Sequence, residues 1–437
     1  MCVPSGALYG PQTARAVENF PISRLRFQRR FIRAIALIKS CAARVNGEQG
    51  HIDCEKAARI EKVADDVAAG RYDDQFVVDV FQTGSGTSTN MNINEVIGRI
   101  ANAHPNDDVN RGMSSNDSIP SAIHIAAAEA VVADLLPAME ALHEALNQKA
   151  WEFNSFLKTS RTHLQDAVPM RMGQEFSGYA RQVELAGSRI EVASAGLYEL
   201  ALGGTASGTG LNAPKGFAAA VITEIVRRTG YPYCEAENHF EAQASKDAVV
   251  FLSAGLRNYA IALTKIANDI RWLGSGPRCG LGELKIPAVQ PGSSIMPGKV
   301  NPVIAESVLM VCAQVIGYDA TIAWCGAAGN FELNVMMPIM GFDLIESLEL
   351  LTASSRNFAD RMIAGLQVDA NRTAELVEQS LAMGTALAPA IGYDRAAELV
   401  KEAFRTGKTV REVAEQKSKL DPDELARLLD PMTQAGS

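Results

Sequence analysis

The chain has 437 residues, 47% hydrophobic and 21% charged, which is enough for two or three domains around a large core. Its net charge of −9 argues against a general nucleic-acid binder, so an anionic ligand has to be met by a local positive site. Seven cysteines (Cys2, Cys41, Cys54, Cys234, Cys279, Cys312, Cys325) form no Cys-x-x-Cys pair, which argues against structural zinc, an iron–sulfur cluster and a disulfide framework. No run reads as a membrane span and the N-terminus lacks a basic-then-apolar secretory pattern. The expected location is the cytoplasm, with neither membrane nor nucleic acid as partner.

The segment to about residue 110 is mixed, with helical stretches inside 20–46 and over 54–69 and an apolar run, 75–81, that reads as a short strand. The run leads into Gly84-x-Gly86, which invites a dinucleotide-binding reading. Thr89 stands where the third glycine belongs, however, and no alternating strand–helix series follows. From Pro120 the pattern is helix of unusual length. Ile125, Val132, Met139, Leu146 and Phe153 form one heptad row and Ala128, Leu135 and Leu142 a second, the mark of a bundle seam. Pro137 is expected to kink that helix. Further long helical patterns cover about 173–200, 247–273, 302–325 and 333–364. Together they predict an elongated helix bundle, and apolar residues on more than one face predict an oligomer. The expected division is a mixed, mostly helical domain over 1–113, a central long-helix domain over 114–368 and a small C-terminal helical domain over 369–437.

Between two of these patterns lies 290–302, whose glycines and prolines forbid regular structure. It carries Ser293, Ser294, Lys299 and Asn301, and Pro302 suits a first helical position with Asn301 as N-cap, an arrangement that aims backbone N–H groups at the loop. That describes an anion site with a candidate base, although composition alone equally allows a linker. A P-loop does not fit: the spacing from Gly292 to Gly298-Lys299 is one residue too long, and Val300 replaces the magnesium-binding hydroxyl. Three more polar clusters, 87–90, 114–117 and 161–166, are each expected at or just before a helix start. Singly they read as caps. Converging helix N-termini build a carboxylate or phosphate receptor, and hydroxyls, amides and one lysine suit a small dianion better than a nucleotide.

The run Gly292-Ser-Ser-Ile-Met-Pro-Gly-Lys-Val-Asn301 resembles the signature of the fumarase/aspartase superfamily. Gly84-Ser-Gly-Thr-Ser-Thr-Asn-Met-Asn92, His104-Pro-Asn-Asp107, Ser114-Ser-Asn-Asp117, Arg161-Thr-His-Leu-Gln-Asp166 and Gly329-Asn-Phe-Glu-Leu-Asn334 resemble class II fumarases and follow the family order. The resemblance implies a mainly α, three-domain protomer, a homotetramer with a twenty-helix core, and active sites shared by three subunits. It implies reversible hydration of fumarate to L-malate, a step of the tricarboxylic acid cycle, with no metal and no cofactor. It further implies Ser293 as base and His163, paired with Glu306, as the group acting on water. Thr87, Ser85, Ser114, Ser115, Asn116, Thr162, Lys299 and Asn301 become substrate-binding residues, and His104, Asn106 and Asp107 a second carboxylate site outside the active site.

Ser85, Ser115, Ser177-Gly-Tyr179 and Gly329-Asn-Phe-Glu-Leu333 favour a fumarase, whereas Ser88-Thr89 and Val168-Pro-Met170 read like aspartate ammonia-lyase. Gly112-Met113, Met336-Met337 and a short connection between Asn94 and His104 depart from both patterns. The alternatives are therefore aspartate ammonia-lyase or another C4-dicarboxylate lyase and, from a different class, a non-catalytic structural member of the superfamily.

Overall fold

The structure is a computed structural model and describes residues 3–436. It divides into two compact units. The first comprises the chain up to Pro137, Ala186–Ala260 and Val311–Thr352; the second comprises Ala138–Leu185, Ile261–Met310 and the chain from Ala353 onward.

In the first unit, α1 (Pro11–Asn19), α2 (Arg29–Glu48), α3 (Cys54–Ala68) and α4 (Thr87–Ala101) precede the long helices. Asp53 caps α3, its carboxylate accepting the Lys56 N–H at 3.0 Å. The expected strand at 75–81 does not form. Its backbone is used irregularly instead: Val77 N–H bonds the Asn92 side chain, Val80 N–H the Leu25 carbonyl and Phe81 N–H the Asp79 carboxylate. An apolar run without a neighbouring strand has no ladder to join.

The first long helix starts at Ser115, five residues before the expected Pro120, and runs unbroken to Glu152 as α5 (Ser115–Ala130), a π turn (Val131–Leu135) and α6 (Leu136–Glu152). The π turn sits just ahead of Pro137. The Leu136 N–H reaches back to the Val131 carbonyl, and this wider turn accommodates a ring that would clash in a regular helix. α7 (Met172–Ser194), α8 (Phe217–Thr229), α9 (His239–Ala244), α10 (Asp247–Leu273), α11 (Val303–Gly326) and α12 (Met337–Phe358) follow. The pattern over 333–364 thus starts later than expected, because its first residues form a small hairpin in which Gly329–Asn330 pairs with Leu333–Asn334. Both heptad rows of the first long helix point inward: Ile125, Ala128, Leu135, Met139, Leu142, Leu146 and Phe153 are all buried, and Val132 alone is exposed. Each such buried Leu or Ile contributes about 1.5–3 kcal/mol.

One expectation needs correcting. Ser115–Glu152, Asp247–Leu273 and Val303–Gly326 do have the length and apolarity of a membrane span. In the first of these, 67% of the apolar window is buried inside the chain, but in the third only 33% is. A helix that is apolar on several faces carries this signature whatever covers it.

The second unit contains one antiparallel hairpin, β1 (Leu157–Thr162) with β2 (Gln165–Arg171). Its C-terminal segment has a core of its own, in which Val377, Met383, Leu387, Leu399, Val410, Val413, Leu425 and Leu429 pack together.

Candidate active site

In the first unit, the N-termini of α4 and α5 meet. Gly86 caps α4 at φ 74°, and a Cβ there would lie 2.9 Å from the Ile119 side chain. A Cβ on Gly84 would lie 1.8 Å from the Val335 carbonyl oxygen. Only glycine permits both approaches. Ser85, held between them, places its Oγ 2.9 Å from Thr87 Oγ1, which lies 2.7 Å from Ser115 Oγ. Three hydroxyls from two helix starts thus form one chain.

The start of α5 is fixed by a capping box. Ser114 Oγ accepts the Asn116 N–H at 3.2 Å, and Asp117 Oδ1 accepts the Ser114 N–H at 2.9 Å. Asp117 Oδ2 also accepts N–H groups from Gly203 and Thr205, at 3.2 and 2.9 Å. Burial pushes this carboxyl up to about 6, while the three N–H groups and the Lys39 charge pull it down. The Asn116 amide donates to the Ala206 carbonyl at 2.8 Å. Hydroxyls and free helix N–H groups converging in this way can receive a carboxylate.

The 161–166 cluster precedes α7 as expected but does not cap it, because the strand β2 lies between them. It is the tip of the β1–β2 hairpin, with His163 and Leu164 as its two turn residues at φ 55° and 60°. Positive φ at both is the type I′ geometry that matches strand twist. Thr162 and His163 are exposed at this tip. Arg161 anchors the hairpin through bonds of 2.8 and 3.3 Å to Glu283, a fully buried carboxylate. Among the described residues no hydrogen bond or ion pair joins His163 to Glu306, which sits half-buried in the first turn of α11.

The 290–302 loop closes on itself. The Gly292 N–H donates to the Lys299 carbonyl at 2.9 Å, and a Cβ on Gly292 would lie 2.2 Å from that oxygen. Ser293 Oγ accepts the N–H groups of Ile295 and Met296 at 3.2 and 2.9 Å. Ser293 and Lys299 line one hollow of about 470 Å³. Asn301 does not cap α11: its amide turns back to the Gly292 carbonyl at 2.5 Å, and the helix starts at Val303 rather than Pro302. The loop's own closure takes the amide that the sequence assigned to the cap.

Residues 1–317 match the family model described as lyase, and residues 384–433 match that of the fumarase C C-terminus. The class II fumarate hydratase of Mycobacterium tuberculosis is 52% identical, over 99% of this chain and 94% of the relative. The chain belongs to the class II fumarase family. The class II fumarate hydratase of Corynebacterium glutamicum is 50% identical, over 99% of this chain and 94% of its own. A crystal structure of recombinant class II fumarase from Schistosoma mansoni superposes with a TM-score of 0.95 at 39% identity, covering 99% of this chain and 96% of that one.

Of the residues that the fumarase resemblance singles out, the structure brings Ser85, Thr87, Ser114, Ser115 and Asn116 together in the first unit. Ser293, Lys299 and Asn301 share one loop in the second, and Thr162 and His163 share a hairpin tip. His104, Asn106 and Asp107 lie in one exposed turn, where His104 Nδ1 accepts the Asp107 N–H at 3.0 Å and also lies 3.2 Å from the Asp107 carboxylate. Sequence reasoning missed Asp117 and the Arg161–Glu283 pair. Asp117 had a legible signal, the Ser-x-x-Asp capping box. The pairing of Glu283 with Arg161 had none, because the two lie 122 residues apart.

Proposed function

We infer that this chain catalyses the reversible hydration of fumarate to L-malate. The observation that carries the reading is Ser293, whose Oγ receives two backbone N–H groups in a loop that also presents Lys299. A serine is a poor base in water. Two donors and a nearby cation favour its alkoxide, which makes it competent to take a proton from carbon.

In the malate-to-fumarate direction, Ser293 removes the C3 proton and the C–H electron pair moves into the adjacent carboxylate, forming a dianionic aci-carboxylate. Lys299 and Asn301 hold that group as it gains charge. The pair then returns to form the C2–C3 double bond as the C2–O bond breaks, and hydroxide leaves as water with a proton supplied through His163; Glu306, which does not bond His163 within one copy, supports it from a neighbouring copy. Thr87, Ser85, Ser114, Ser115 and Asn116 receive the substrate carboxylate that does not gain charge, with Thr162 assisting. An acid or base of this kind is worth about 10²–10⁴ in rate.

Four copies of the chain pool their long helices into a twenty-helix core, and each site takes residues from three copies. Exposed Val192 on α7, Phe251 and Trp272 on α10, and Met310 and Trp324 on α11 support this, since water is a costly neighbour for such surface and another copy is the fitting cover. The same faces account for the membrane-span signature. The three-part division at residues 113 and 368 follows this plan, with the separate C-terminal core supporting its last part. The turn holding His104, Asn106 and Asp107 serves as a second carboxylate contact. A cytoplasmic setting suits the six free cysteines of the described residues.

The test offers L-malate and L-aspartate in parallel to the wild-type chain and to Ser293→Ala, following fumarate by its absorbance. Fumarate from malate alone, lost in the variant with helicity and assembly intact, is the expected result. Fumarate and ammonia from aspartate alone would make the chain an ammonia-lyase, and activity retained by the variant would remove Ser293 as base.

A further inference from the structure

We propose that Lys39 is a positioning residue for the substrate-carboxylate site at the N-termini of α4 and α5, acting through the amide of Asn110. Lys39 lies on α2, fully buried beside Ile35, Ile38 and Ala42. Its Nζ donates to Asn110 Oδ1 at 2.7 Å. The same oxygen accepts the side-chain N–H groups of Asn90 and Asn94 on α4, each at 3.2 Å. The other end of the amide, Asn110 Nδ2, donates to the Met113 carbonyl at 3.0 Å, and the Met113 N–H donates back to the Asn110 carbonyl at 3.1 Å. The next residue is Ser114, the cap of α5. One asparagine thus holds both the turn that enters α5 and the first turns of α4, the two segments whose hydroxyls meet at Thr87 and Ser115.

The amide of Asn110 could in principle sit either way round. An ammonium only donates and the Met113 carbonyl only accepts, so a single orientation satisfies both. Without Lys39, the remaining donors to that oxygen are the Asn90 and Asn94 amides, which can turn round together with Asn110. Asn90 Oδ1 and Asn94 Oδ1 are buried without hydrogen-bond partners, so a concerted turn of the three amides would give them the Asn110 N–H groups at the loss of the Met113 bond. Lys39 prevents that rearrangement. Burying an ammonium is costly, and its helix neighbours Ile35, Ile38 and Ala42 are buried and apolar, so an aliphatic side chain would pack there more cheaply. Burial pulls the ammonium down to about 7 while Asp117 opposes the fall, so the donor-only form persists to near-neutral pH.

The proposal rests on the reading that Ser114, Ser115 and Asn116 hold the substrate carboxylate that does not gain charge. Loosening that contact weakens ground state and transition state alike, so KM rises and kcat does not fall. The experiment measures kcat and KM for fumarate and malate at about pH 6.5, where the ammonium form prevails, on full-length Lys39→Met, Asn110→Asp, their double variant and Ser115→Ala. Asn110→Asp keeps an oxygen for Lys39 but turns the Met113 contact into a repulsion, so it carries the test should Lys39→Met fail to fold. The expected result is a KM about 10-fold higher in each single variant with kcat within about 3-fold, and a Lys39/Asn110 double variant no worse than the poorer single. A raised KM in Ser115→Ala with unchanged KM in Lys39→Met and Asn110→Asp would overturn the role of Lys39 and leave the carboxylate site standing. Unchanged KM in all three single variants would remove the carboxylate site, and the proposal with it. A fall in kcat at constant KM would also overturn it.

Discussion

Thr87 Oγ1 lies 2.7 Å from Ser115 Oγ, tying the first turn of α4 to the first turn of α5 across 28 residues of chain. One hydroxyl donates to the other, and the acceptor keeps its own proton to turn toward a bound carboxylate. Thr87→Val keeps the shape and removes the hydroxyl. A hydrogen bond to a charged group is worth about 1.5–3 kcal/mol, so kcat/KM for fumarate should fall roughly 10- to 150-fold. Because the two hydroxyls share a bond, Thr87→Val with Ser115→Ala should lose less than the product of the single losses. Steady-state kinetics on the four proteins decides it; strict multiplicativity would mean the hydroxyls act independently.

Glu283 is fully buried and holds Arg161, one residue pair from the turn of the hairpin that presents His163. Removing one partner of a buried pair leaves the other charge unmet and typically costs about 3–5 kcal/mol. Glu283→Ala should therefore lower the thermal unfolding midpoint and, at temperatures where it stays folded, lower kcat by letting the hairpin tip move. A melting curve superimposable on that of the wild type would show that the pair contributes nothing.

Glu224 sits among Arg227, Arg228 and Arg44. The hydrogen bond from Arg227, joined by Arg228, holds its carboxyl down to about 2, against an ordinary 4.5. A carboxyl depressed on folding stabilises the protein fully above its unfolded value and loses that contribution as pH falls through the folded one. The wild type should thus lose stability between about pH 4.5 and 2, and Glu224→Gln should show a shallower decline over that window with a lower midpoint at neutral pH. Urea unfolding at fixed protein concentration across that range tests this; parallel curves for the two proteins would rule Glu224 out as the titrating group.

Much of the fold was legible because helix periodicity is local. The heptad rows from Ile125 to Phe153 reported an inward face that the structure buries at every position but Val132. The boundaries were less legible: Pro120 read as a helix start, whereas the capping box of Ser114 and Asp117 starts the helix earlier and tolerates the proline inside it. The run 75–81 failed for a different reason. Strand propensity describes a fit to a pleated surface, and no neighbouring strand was there to supply one.

The sequence by itself determined the long helices, the irregularity of 290–302 and the residue types suited to a small dianion, because periodicity, glycine and proline content and side-chain chemistry are carried by short stretches of chain. Only the tertiary structure decided that His163 occupies a hairpin turn rather than a helix cap, that Asn301 closes its own loop, and that Asp117 gathers N–H groups from Gly203 and Thr205. It also decided the meeting of Lys39, Asn90 and Asn94 on one oxygen of Asn110. Most of these contacts join residues tens of positions apart. Their free energy is realised only once the chain between them has been folded, so no local pattern can announce them.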